Sequence, residues 1–152
     1  MNETQTTAEA LEASVLTKRG AVHANPSEPC AEAAPVPDAV SKKPVDQKSP
    51  AEWAYQRVIM YLKNFEEQLD AEHEVAMGFA GGDMGVLRIQ GVGFYAPDII
   101  TFYGIDQAGA KTQLIQHVNQ LNVMLRTLPK PKEQPEPMRI GFQLAAALEE
   151  NA

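Results

Sequence analysis

The stretch from Glu74 to Leu128 constrains the fold most. It holds four short segments rich in β-formers: Val75–Phe79, Val86–Gln90, Ile99–Tyr103 and Lys111–Ile115. Each is closed by glycine, proline or aspartate, residues that turn a chain. Four such segments at short spacing predict a small antiparallel sheet. In the second, Leu87 and Ile89 alternate with Arg88 and Gln90, as in a half-buried strand. The third, Ile99–Tyr103, is apolar on both faces and is expected centrally. Gly81 to Gly85 reads as the first turn, Ala96-Pro97-Asp98 as the second, and Asp106 to Gly109 as a hairpin. Gly91 and Gly93 predict a bulge or a close backbone approach.

What flanks the sheet must pack on it. Ser49-Pro50-Ala51-Glu52 reads as a capping box with proline at the first helical position. Ala54, Val58, Leu62, Phe65 and Leu69 then form one apolar stripe, so a helix is predicted over Pro50–Glu72. Its exit is loaded with Glu66, Glu67, Asp70, Glu72 and Glu74, which opposes the helix dipole and has no local explanation. Val118, Leu121, Leu125 and Leu128 fall at helical spacing, and a second helix is expected over 118–127. A last strand, Leu121–Leu125, is the alternative, because short apolar runs are ambiguous. The expected fold class is therefore α+β: an N-terminal amphipathic helix on a small antiparallel sheet of three to four strands, then a second and a C-terminal helix.

The organisation reads as residues 1–48 a disordered tail, 49–128 the α+β domain, 129–137 a Pro-rich connector, and 138–152 a segment that docks on the domain through a terminal helix. Residues 1–48 contain Pro26, Pro29, Pro35, Pro37 and Pro44 and no aromatic residue, too little apolar area to offset ordering. The remainder is enough for one modest core.

Net charge is −7, with thirteen acids and eight bases in residues 51–152. A nucleic-acid footprint needs clustered Lys and Arg, so nucleic acid is not the expected partner, nor is an anionic membrane surface. Cys30 is the one cysteine, which rules out an intramolecular disulfide and a cysteine-based metal site. The N-terminus lacks a basic region followed by an apolar one, and no apolar run approaches the length of about 20 residues that a membrane span needs. These features point to a cytoplasmic location.

Motifs with chemical meaning are few. Gly91-Val-Gly93-Phe-Tyr-Ala96 matches a dinucleotide fingerprint in letters, but no helix follows it. Gly78 to Gly85 lacks the Gly-Lys-Ser/Thr ending of a phosphate loop. No cofactor and no metal are expected. His73 and His117 are the acid–base candidates, able to meet Glu74 or Asp98 in space as a small hydrolase would require. Phe94, Tyr95, Phe102 and Tyr103 cluster in the sheet and are the candidate interface residues.

Trp53 to Arg57, Asn64 to Glu66, Leu69 to Phe79, Gly91 to Asp98 and Leu114 to Leu125 together resemble a family of small uncharacterised bacterial proteins, a domain of unknown function, over about residues 50–148. The resemblance implies a bacterial source and one domain behind a variable tail, and no catalytic residues. A weaker likeness is to Sm-like RNA-binding barrels, carried by Leu87-Arg-Ile-Gln-Gly91 and by Gln113 to His117. The expectation is a non-enzymatic interaction or adaptor module with a protein partner or self-association. The alternatives are the RNA-binding barrel and a hydrolase-type enzyme using a histidine/carboxylate pair.

Overall fold

The computed structural model describes residues 21–25, 27–28, 30–36, 40, 47–79 and 85–150. Helix α1 spans Pro50–Glu66. Its start is the one the sequence encodes: the Ser49 hydroxyl accepts from the Glu52 N–H at 3.1 Å. It stops six residues short of the expected Glu72. The acids there oppose the dipole, and the Asp70 carboxylate accepts the Glu72 N–H at 2.9 Å, giving the backbone a turn in place of another helical rung.

Five antiparallel strands follow: β1 His73–Phe79, β2 Val86–Tyr95, β3 Ile99–Ile105, β4 Lys111–His117 and β5 Val123–Pro129. Their spatial order is β4-β3-β2-β1-β5. β2 is thus the centre, and β3, the expected central strand, is interior beside it. Residues 80–84, most of the first expected turn, lie outside the described residues; Gly85 after them has φ +70°. The Asp106 hairpin forms as expected, with its carboxylate accepting from Ala108 at 2.9 Å and Ala110 at 2.8 Å.

The second helix expected over 118–127 does not form. Val118–Gln120 make one 3-10 turn, capped by the His117 ring, and Val123–Pro129 are β5. The alternative strand is the one realised, shifted toward the C-terminus. The reason lies in β1, which is buried on both faces and needs a partner on its second edge. β5 supplies it over seven residue pairs, from His73↔Pro129 to Phe79↔Val123. Leu121, Val123 and Leu125 reach the core by alternation, a period that the same letters also carry. The sheet therefore has five strands, not three to four.

The glycine-rich part of β2 bends. The register with β3 shifts between Ile89 and Gly91, which inverts the sense of alternation. Leu87 and Ile89 face α1 before the shift, Val92 after it. Gly93 marks a close approach, since a Cβ there would stand 2.8 Å from the Thr101 hydroxyl. The core between α1 and the sheet contains Ile59, Leu62, Met77, Leu87, Ile100 and Phe102.

Helix α2, Ile140–Glu150, is the expected terminal helix and packs along α1. Gly141 makes this possible: a Cβ there would lie 2.5 Å from the Lys63 nitrogen and 2.6 Å from the Glu66 carboxylate. Most of the expected disordered tail lies outside the described residues. Of those described, Ala31–Ala33 form a 3-10 turn against α1, and Val40 is buried, its carbonyl accepting from the Lys48 ammonium.

Candidate interaction surfaces

Two of the acids at the α1 exit, Glu66 and Glu74, are explained by what they hold. Glu74 is 5% exposed at the start of β1. One carboxylate oxygen accepts from the Arg88 guanidinium at 2.7 Å. The other accepts from the Gln134 amide at 2.6 Å and the Met138 N–H at 2.7 Å. Arg139 donates to the carbonyls of His73 and Asp70 at 2.6 and 2.7 Å. Glu66 is buried at the end of α1, and its carboxylate accepts from the Phe142 N–H at 3.0 Å, capping α2. Desolvation raises the Glu66 pKa above the usual carboxylate value, while the N–H groups of Gly141, Phe142 and Ile140 and the charge of Arg139 pull it back. Its second oxygen has no partner among the described residues. The Pro-rich connector and α2 are thus tied to the domain by two buried carboxylates, a role that only tertiary contact reveals.

The opposite flank of α1 is open. A groove of about 740 Å³ runs between the helix and the segment joining β4 to β5. Val58, Leu121, Val123 and Leu125 give it an apolar floor, and Trp53, Arg57 and Tyr61 come from the helix. Arg57 is exposed, lies over the Trp53 ring at 4.7 Å, and pairs with no carboxylate among the described residues. The Tyr61 hydroxyl donates to Glu32 at 2.5 Å, and this bond is the main reason its pKa is raised.

Two further surfaces belong to the sheet. β4 and β5 are its edges, so each presents one row of backbone groups that no strand pairs among the described residues. The face turned away from α1 carries Tyr95, 78% exposed, with Tyr103 and Ile115 in neighbouring rows. Of the four aromatic candidates, Tyr95 and Tyr103 are on this outer face. Phe94 faces α1 and stacks on Tyr55 at 4.9 Å. Phe102 is wholly buried and packs on Phe79, so it is a core residue and offers nothing to a partner.

The histidines do not share a carboxylate. His73 opens β1 and its Nδ1 meets Asp70 at 2.6 Å, a contact that holds the Asp70 carboxyl below its ordinary value. His117 ends β4. Its Nδ1 accepts from the Asn119 N–H at 3.0 Å, and its Nε2 lies 3.2 Å from Asp98. Nδ1 is thus an acceptor, and Nε2 meets Asp98, one of the two carboxylates the sequence offered it. His117 serves as a cap. Neither histidine lines the groove. Among the described residues no group of three or more His, Cys, Asp or Glu could hold a metal ion, and no helix is long and apolar enough to cross a membrane.

The architecture defines a class: a small α+β domain with one helix on a five-stranded antiparallel sheet and a second helix tied to the first. The chain belongs to DUF6173, a family of unknown function, whose family model matches residues 43–143. No curated protein and no solved structure matches the chain.

Proposed function

We propose that this chain is a bacterial, cytoplasmic, non-enzymatic protein-interaction module that self-associates through the edges of its sheet. One observation carries the reading. Among the described residues no strand pairs with either edge of the five-stranded sheet, and at these edges stand Ile115 and Met124, 63% and 62% exposed. Both side chains are on the face that carries Tyr95 and Tyr103, so a strand added at either edge would meet an exposed apolar side chain there. Light scattering on the full chain tests this: a mass above the monomer is expected, reduced to the monomer by Ile115→Lys. A wild-type monomer at all concentrations would refute it.

The Sm-like RNA-binding barrel remains a second reading on one ground: a helix followed by five antiparallel strands, the second bent at the Ile89/Gly91 shift. The charge of −7 opposes it. Co-purification of RNA, lost steeply with salt, would favour it over protein association alone. The hydrolase-type alternative draws support from two exposed histidine–carboxylate pairs, His73–Asp70 and His117–Asp98, both of which stand outside the groove.

A further inference from the structure

The sheet edges do not use the groove on α1, and the groove has its own chemistry. Its floor is apolar, and its helical wall is built from the buried Trp53 and from the exposed Arg57 and Tyr61, two residue types that carry much binding energy when a partner desolvates them. Three observations narrow the occupant. Arg57 has no carboxylate partner among the described residues, although acids outnumber bases in the chain by 20 to 13. Tyr61, also in the lining, already donates to a carboxylate, that of Glu32. Trp53 is 8% exposed and its indole N–H meets no acceptor among the described residues.

We infer that the groove is a docking site for an apolar peptide segment of a partner protein that carries one carboxylate, with Arg57 as the anchor for that charge. The Ala31–Ala33 turn shows the mode in miniature: small apolar residues against α1 and a single glutamate reaching a donor on the helix. The apolar side chains of the partner cover Val58, Leu121 and Val123, and displacing water there strengthens the Arg57–carboxylate pair. A segment with several acids fits less well, because the whole chain is acidic and repels it.

Trp53 is the chain's one tryptophan, so its emission reports the groove directly. The probe is a capped heptapeptide alternating leucine and serine with one central glutamate, titrated into the full chain beside its glutamine counterpart. The glutamate peptide is expected to shift Trp53 emission saturably and to bind about tenfold more tightly than the glutamine peptide, a difference of about 1.4 kcal/mol. Arg57→Gln, at an exposed position, should erase that difference, and Ile115→Lys should leave it intact even if it abolishes self-association. Equal binding of the two peptides, or no saturable shift below about 1 mM (about −4 kcal/mol), overturns the inference. So does a response to dodecanoate without one to the peptide, which would make the groove a lipid site. Loss of peptide binding in folded Ile115→Lys overturns it as well, by placing the contact at the sheet edge.

Discussion

The two flanks of α1 differ in how their polar groups are settled. On one, Glu66 and Glu74 are buried, and hydrogen bonds reach them from four residues, Arg88, Gln134, Met138 and Phe142, so the connector and α2 are held in one position. On the other, the surface is apolar and its one arginine has no carboxylate partner among the described residues. Buried charges demand fixed partners, whereas apolar surface accepts many. The first flank therefore specifies one arrangement of this chain, and the second is available to another molecule.

Substitutions can break that contrast. Glu74→Ala should do the most, because it leaves Arg88 and the Met138 N–H without their acceptor; a loss of about 3 kcal/mol in urea unfolding is expected. Gly141→Ala comes next. The added methyl meets backbone at 2.5 Å, and overpacking of this kind costs about 1–3 kcal/mol, seen as a lowered Tm or as easier proteolysis of α2. Glu66→Gln is smaller and depends on pH. The folded pKa of Glu66 is raised, so the folded state holds its proton more tightly than the unfolded state. This contribution stabilises below the ordinary carboxylate pKa and is lost as pH rises through the raised one. Glutamine imitates the protonated acid, so the variant's stability relative to wild type should improve from acidic to neutral pH; paired unfolding curves decide it. Arg57→Ala should be smallest, within about 0.5 kcal/mol, as for a surface residue with no buried partner. A larger loss would mean that the open flank is structural too.

The parts of this fold that could be read from sequence are those set by neighbours along the chain. The Ser49 cap, the Asp106 hairpin and the apolar stripe of α1 as far as Phe65 need only local spacing, and they stand where expected. The region after His117 depended on a distant strand. Val118, Leu121, Leu125 and Leu128 fit a helix, but Val118 enters the 3-10 turn that Leu121 closes, and the edge of β1 draws Leu125 and Leu128 into β5. Phe102 shows the same limit for function: an aromatic on a sheet reads equally as surface or core until the helix above it is placed. Glu66 and Glu74 were visible but meaningless alone, because most of their donors come from residues 134–142. The groove had no sequence signal of its own, since its two walls are some sixty residues apart in the chain.

Those acid clamps also bear on how the chain is made. Met138 lies 64 residues beyond Glu74, and Phe142 lies 76 beyond Glu66. A nascent chain that has completed α1 and β1 carries two carboxylates whose final donors have not yet been synthesised. The sheet can begin to pair, but it cannot seal that corner until nearly the whole domain has left the ribosome. A chain cut anywhere before residue 138 would leave both acids short of partners, so this corner becomes fully stable only once residues 138–142 have joined it.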